Sequence, residues 1–393
     1  PIAPAIVWQC RRTADYCEKL KDKADLIQSK TGLVVDPYFS ASKMKWILDN
    51  IPCARKLLAD GNLCFGTIDS YLIFRLTEGR SFVTDVTNAS RTMLFNIHTL
   101  GWDDELLELF GIPRSALPEV KFSSDVFGCF KYEGREIPIA GVAGDQQAAL
   151  FGQGCIKKGT GKITYGTGMF MLVNTGDVPV KSNCGMITTI ACSCAKKATY
   201  AIEGSVFNAG SCVQWLRDEL EFFKTSAESE ELAKSVEDTG GVYFVPAFTG
   251  LGAPYWNSEA RACFTGISRG TNKRHLTRAV LEAICYSAKD VADCMRADGN
   301  MEFTEIGVDG GASANDFLMS FQSNVLGVKL VRPEEKESTA LGVALLAATA
   351  VGLICEADVK NLKKIEKVFL PSPDRETYDE KYRAYKLAVQ KCL

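Results

Sequence analysis

The stretch GVAGDQQAAL, residues 141–150, sets the carboxylate of Asp145 and the amide of Gln146 among glycines and alanines. A buried carboxylate is costly unless it has hydrogen-bond partners, a charge partner or a chemical task. Asp145 is therefore either a well-satisfied structural acid or a base.

Three glycine-centred stretches are candidates for holding phosphate, because glycine lets backbone amides approach an anion and accepts positive φ. TYGTGMF (164–170) reads as a strand, a tight turn on Gly166-Thr167-Gly168 and a second strand. It is either a plain turn or a phosphate nest to which the Thr167 hydroxyl adds a donor. VDGGASAND (308–316) places a glycine pair between a strand and a helix. The helix N-terminus then faces an anion or a nucleotide edge, or the pair is a tight connection with Ser313 or Asn315 near the cap. FTGLGAPYW (248–256) is loop chemistry that serves packing equally well. The pattern G-x-x-x-x-G-K-[ST] is absent, since Gly161-Lys162 is followed by Ile163, and no G-x-G-x-x-G opens a helix after a strand. Nucleotide binding would use split glycine turns, the arrangement of actin-like ATPases, in which two related domains close over the phosphates.

The elements that must position these residues are mixed along the chain. Residues 13–29 and 43–60 have helical periodicity, residues 163–174 read as strand, turn and strand, and residues 275–295 form a long amphipathic helix. AIVW (5–8) is a strand-like apolar run, and the opening PIAPAIVWQC enters it without an initiator Met, as if midway through a domain. The apolar run at 340–355 is too short to span a bilayer and reads as a buried helix. The class is α/β, with the chemistry expected where strands end in glycine.

Composition narrows the function. A chain of 393 residues, 46% hydrophobic and 24% charged, buries a sizeable core and favours two or three domains, two being the starting expectation. The 45 basic and 48 acidic residues give a net charge of -3 with no basic run or acidic tail, which argues against nucleic acid or an anionic membrane as the main partner and for a small-molecule enzyme. Fifteen scattered cysteines without a signal peptide read as cytosolic thiols. Cys192 and Cys194, with Cys184 nearby, make the one tight cluster, but with only His98 and His275 available they read as small buried residues rather than zinc ligands.

The runs YFSASKMKWILDN (38–50) and ACFTGISRGTNKRHLTRAVLE (262–282) resemble the two signature segments of the FGGY carbohydrate kinase family. AIVWQCRRT, DPYFS, VTNASRTMLFNIHTL, AGDQQAALFGQ, TYGTGMF, FTGLGAPYW and VDGGASAND resemble in particular the members that act on glycerol. The resemblance runs from near residue 5 almost to the C-terminus. It implies a two-domain actin-like ATPase (ribonuclease H-like) fold, with 1–152 the remainder of an N-terminal, polyol-binding domain and 153–393 a C-terminal, nucleotide-binding domain. It implies ATP-dependent phosphorylation of glycerol to sn-glycerol 3-phosphate, with ATP and Mg2+ as cofactors, in a cytoplasmic homo-oligomer, dimer or tetramer.

By the same resemblance Asp145 is the general base on the substrate hydroxyl, the positioning role that phosphoryl transfer requires. Gln146 and Tyr38 hydrogen-bond polyol hydroxyls, and Trp8 and Phe170 wall the carbon backbone. Gly166, Thr167 and Gly168 hold the terminal phosphates, Gly210 and Gln214 lie along the nucleotide, and Gly311 and Asn315 border the adenine. Arg11 and Arg12 are read as surface or interface charges rather than phosphate ligands. Family members begin with about ninety further residues that carry a first phosphate hairpin, a magnesium-engaging acid and an Arg-Glu clamp on glycerol. None is found in this chain, so the N-terminal domain is expected to be incomplete and these residues alone poorly active. In the loop CFKYEGREIPIAG (129–141), Glu133 and Glu136 bracket Gly134 and Arg135, so the sugar-bisphosphate inhibition of bacterial members is not expected. Two other readings stay open: a kinase of the family for another sugar, and a non-catalytic protein on the same scaffold.

Overall fold

The computed structural model describes residues 1–194, 197–255, 257 and 259–393. Its first part is built on short helices. In Ser40–Asn50, Ala41, Met44 and Leu48 recur on one face and are buried against Phe39, Leu94, Leu106 and Phe110. The expected helix over 43–60 breaks after Asn50, because Pro52 forces Ile51 to an extended conformation, and it resumes as Ala54–Ala59. The expected helix over 13–29 is likewise two helices, Ala14–Glu18 and Ala24–Thr31, joined through the 3-10 turn Lys21–Lys23. That turn has no buried residue to hold it on a helical face. AIVW forms no strand: nothing among the described residues pairs with it, and Val7 and Trp8 are exposed.

From residue 145 onward the main elements are α1 (Asp145–Gly152), β1 (Thr160–Tyr165), β2 (Met169–Gly176), β3 (Ile187–Ala191), β4 (Thr199–Val206), α2 (Gly210–Asp218), α3 (Lys273–Gly299), β5 (Glu305–Asp309), α4 (Asp316–Leu326), β6 (Leu330–Pro333), α5 (Ser338–Ala350), β7 (Ile365–Phe369) and α6 (Arg375–Gln390). The seven strands form one sheet in the order β7-β6-β5-β1-β2-β4-β3. The β1–β2 hairpin and β4 run antiparallel, whereas β5 lies parallel to β1 and to β6. The chain thus meanders first and then crosses over through α3 and α4, a topology that brings the ends of β1 and β5 together. The long helix expected at 275–295 is α3, which opens on a capping box of Asn272 and His275 and buries Val280, Ile284 and Val291 with Met171, Val173 and Ile202 of the sheet.

The apolar run at 340–355 is helical only as far as Ala350, as part of α5, and only one face of it is buried, through Gly342, Leu345 and Leu346. That face packs on α1. A methyl group on Gly342 would fall on the Ala148 carbonyl oxygen and one on Gly152 on the Ser338 carbonyl oxygen, so the two helices cross backbone to backbone. The cysteine expectation fails at one pair, since Cys263 and Cys392, 129 residues apart, form a disulfide. Chain folding alone makes them neighbours.

Candidate active site

Asp85 is a buried acid of this region and Asp145 is not. Asp85 is fully buried and accepts hydrogen bonds from the amides of Thr87 (3.0 Å) and Asn88 (2.9 Å), the Asn88 side chain (2.8 Å) and the hydroxyls of Thr87 (2.7 Å) and Ser123 (2.7 Å). Burial pushes its carboxyl up to about 6 against the pull of these donors. The Thr87 hydroxyl oxygen in turn accepts the Gly144 amide at 2.8 Å. Asp85 therefore sets the backbone immediately before α1.

Asp145 is the first residue of α1 and is exposed. Its side chain accepts the Gln146 amide at 2.8 Å, and the Gln146 side-chain NH2 lies 3.5 Å from its other oxygen. Its position is held by Gly144 in front, by the α5 crossing behind, and by Gln147, which is buried and donates to the Thr189 hydroxyl at 2.9 Å. An exposed carboxylate on a helix clamped in this way can meet a substrate hydroxyl without being desolvated in the free protein.

Beneath α1 lies one face of the sheet. Register places Thr164 opposite Phe170 and Phe170 opposite Ser205, and one step along, Lys162 opposite Leu172 and Leu172 opposite Glu203. Period-two alternation therefore points Lys162, Thr164, Phe170 and Glu203 to the same side. Lys162 is fully buried, and its ammonium donates to Gln146 Oε1 and, at 2.8 Å, to Thr164 Oγ1. Burial lowers its pKa, opposed by the charges of Asp309, Glu203 and Asp145. Glu203 forms a two-pronged ion pair with Arg91, with both N–O distances 3.0 Å. Burial works against the Arg91 charge, but Glu203 and the Tyr38 hydroxyl raise its pKa above the ordinary value.

Arg91 extends this face to the aromatic residues. It donates to the Tyr38 hydroxyl at 3.5 Å and lies 5.5 Å from the Tyr38 ring centroid, and Trp8 stands 5.5 Å from the same ring. Lys43 holds the Tyr38 carbonyl at 2.8 Å. Trp8 and Tyr38 are thus brought together, with Trp8 exposed on the outer side. Phe170 is half-buried on the sheet and makes no ring contact with either among the described residues.

The turn Gly166-Thr167-Gly168 closes the β1–β2 hairpin, as expected. The carbonyl of Gly166 accepts the Gly210 amide, and that of Thr167 accepts the amides of Ala209 and Ser211, each at 3.0 Å. Two of the turn's carbonyls are committed to the start of α2, that of Gly168 accepts the Gly166 amide at 2.9 Å, and the Thr167 hydroxyl is exposed without a partner among the described residues. The Gly210 amide is thereby spent on pinning the turn. A side chain there would strike the Gly166 carbonyl, so what Gly210 provides is a close approach. Gln214 is exposed on α2.

Gly310, at φ 84°, packs against the Tyr165 backbone, which sets exposed Gly311 beside the Gly166-Thr167-Gly168 turn. Asn315 caps α4 by accepting the Leu318 amide at 2.9 Å and donates to Ser229 at 3.4 Å. In FTGLGAPYW, Gly252 lies against Phe207 and the Tyr255 hydroxyl donates to Asp290 at 3.0 Å, while Trp256 lies outside the described residues.

Sequence reasoning missed Lys162, Arg91, Glu203, Asp85 and Gln147. Gln147, inside the quoted GDQQ run, and Arg91, inside VTNASRTMLFNIHTL, carried a local signal. Among the described residues no group of three His, Cys, Asp or Glu could hold a metal ion, and Cys192 and Cys194 pack with Phe151 and Leu346.

Comparison with known proteins agrees with this geometry. The models of the FGGY family of carbohydrate kinases match residues 1–152 (N-terminal domain) and 161–351 (C-terminal domain). Glycerol kinases of Treponema denticola and Escherichia coli are 54% and 53% identical to the chain, which in the first case is covered completely and spans 80% of the relative. The crystal structure of Plasmodium falciparum glycerol kinase with ADP superposes with a TM-score of 0.95 at 38% identity, covering 99% of this chain and 79% of that one. A ligand-bound xylulose kinase from Lactobacillus acidophilus gives 0.87 at 25% identity, covering 98% of this chain and 79% of that one. With its glycine turns, its clamped GDQ helix and its sheet all inside these matches, the chain belongs to the FGGY family of carbohydrate kinases.

Proposed function

We propose that this chain transfers the γ-phosphoryl group of ATP to glycerol, giving sn-glycerol 3-phosphate and ADP. A terminal glycerol oxygen forms a bond to the γ-phosphorus, the bond from that phosphorus to the β,γ-bridging oxygen breaks, and the hydroxyl proton passes to Asp145. The observation that carries the assignment is the exposed Asp145 carboxylate, on a helix locked from both ends and paired only with its neighbour Gln146. Gln146, Tyr38, Trp8 and Phe170 would hold the polyol, and Gly166, Thr167 and Gly168 the terminal phosphates. The nucleotide would continue over Gly210 and Gln214 toward Gly311 and Asn315. Mg2+ would enter as the complex with ATP, held mainly by its phosphates, as Mg2+ is at most phosphoryl-transfer sites.

The proposal divides the chain into a polyol domain, 1–152, and a nucleotide domain, 153–393, whose closure excludes water. It also places a dimer or tetramer in the cytoplasm. No helix of the described residues is long and apolar enough to cross a membrane, and the exposed Ile68, Tyr71 and Leu72 of one helix offer an apolar surface for association. The test is glycerol-dependent ADP release, with xylulose as the competing substrate. Asp145→Asn should lower kcat by about 10²- to 10⁴-fold with little change in KM for glycerol. Retention of more than a tenth of the rate would remove Asp145 from the role of base.

A further inference from the structure

Lys162 is a buried charged group that the reaction above leaves unused. Its side chain is completely enclosed, yet no carboxylate lies within ion-pair distance of its ammonium among the described residues. It spends its hydrogen bonds instead on Gln146 Oε1 and Thr164 Oγ1. A lysine kept inside a protein without a direct counter-ion is expensive unless it has a task.

We infer that Lys162 is a positioning residue for the polyol, fixing which end of the Gln146 amide faces the substrate. This deepens the glycerol kinase reading and rests on it. An ammonium only donates, so the amide atom it meets must be the oxygen. The NH2 end is then turned to the other side, where it lies 3.5 Å from Asp145 Oδ2. The substrate consequently meets a donor at Gln146 beside an acceptor at Asp145. One hydroxyl can give its proton to the carboxylate while a neighbouring oxygen accepts from the amide.

If the amide flipped, an acceptor would face an acceptor and this complementarity would be lost. Thr164 adds a second consequence. It stands two residues before Gly166, so the same ammonium ties the polyol-side amide to the strand that leads into the phosphate turn. The tie crosses from the segment matched by the N-terminal family model to that matched by the C-terminal one.

The experiment is a double-mutant cycle in the full chain, reading KM for glycerol, KM for ATP and kcat, with thermal melting as the check on folding. Lys162→Met should raise KM for glycerol about tenfold or more while KM for ATP stays within about twofold, since one charged hydrogen bond is at stake. Lys162→Arg, which keeps donors and charge, should recover part of the loss. In a Gln146→Ala background Lys162→Met should cost less than about threefold further, because the group it orients is gone. Multiplying penalties, or an unchanged KM for glycerol, would overturn the inference and leave the kinase reading intact. A parent protein that neither turns over glycerol nor melts at a higher temperature in its presence would overturn both. If Lys162→Met does not melt cooperatively, Thr164→Val takes its place. It frees one anchor of the ammonium and should raise KM for glycerol about threefold, and no change would refute the tie.

Discussion

Gly342→Ala is a substitution at a position that contributes no side chain to the site, on a helix whose Thr339 hydroxyl donates to the Asp145 carbonyl at 3.5 Å, and it should disable the site. Helix propensity alone favours the change by about 1 kcal/mol, since Ala is the best and Gly among the poorest of helix formers. The crossing of α5 with α1 argues the other way. The new methyl would overlap the Ala148 carbonyl oxygen, a backbone atom that cannot rotate aside, so the helices must part by about one ångström. Overpacking of this kind costs about 1–3 kcal/mol, which leaves a net loss of up to about 2 kcal/mol, a fall of a few degrees in Tm. Ala148 lies one turn after Asp145, so the same displacement reaches the carboxylate. A misplacement of about one ångström at a reacting group can cost on the order of 10²-fold in rate. Initial rates of ADP release at varied glycerol should therefore show kcat/KM for glycerol lower by about that factor. The apparent KM for ATP should hold, because the Gly166–Gly168 turn is anchored on α2 and not on α5. A variant that melts higher than the parent and keeps kcat/KM within about threefold would show that the crossing does not set the position of Asp145.

Three further outcomes test two charges and a hydroxyl around the site. Glu203→Gln strands the enclosed Arg91 guanidinium, and urea unfolding should show a loss of about 3–5 kcal/mol, at least half of it regained when Arg91→Met is added; a loss below about 1 kcal/mol would mean that water reaches the pair. Asp85 has a folded pKa of about 6 against an ordinary 3.8. Its stabilising contribution is present in full below about pH 4 and lost as pH rises through 6, on the order of 3 kcal/mol. Between pH 4 and 7.5 the unfolding midpoint of Asp85→Asn should therefore fall less than that of the parent, and parallel curves would contradict the assignment. Thr167→Val removes the exposed hydroxyl at the turn and should lower kcat/KM for ATP by about 10- to 100-fold with glycerol KM unchanged, whereas equal effects on both substrates would point to a misfolded hairpin.

Local chemistry is what the sequence carried well. The hairpin at Gly166-Thr167-Gly168, the strand ending at Asp309, the long helix beginning near His275 and the GDQ run are each encoded within about a dozen neighbouring residues, through periodicity and turn-forming glycines. Where the local reading failed, the cause was a single residue or a missing partner. Pro52 interrupts a helical period that otherwise runs through it, and AIVW has strand composition but nothing to pair with.

The burial of the two acids was not legible in the same way. Asp145 lies in the apolar text yet is exposed, because the glycines and alanines around it serve the α5 crossing. Asp85 lies in ordinary text yet is enclosed, because Ser123 and Asn88 fold over it. The sequence by itself determined the α/β class and the family, and it singled out Asp145 as the candidate base, since these rest on short contiguous motifs. Only the tertiary structure decided that Arg91 meets Glu203 across 112 positions, that Lys162 reaches Gln146, and that two glycines let α1 and α5 touch. Charge pairing and close packing depend on distance in space, and a chain of side-chain types records that distance only where neighbours in sequence are also neighbours in the fold.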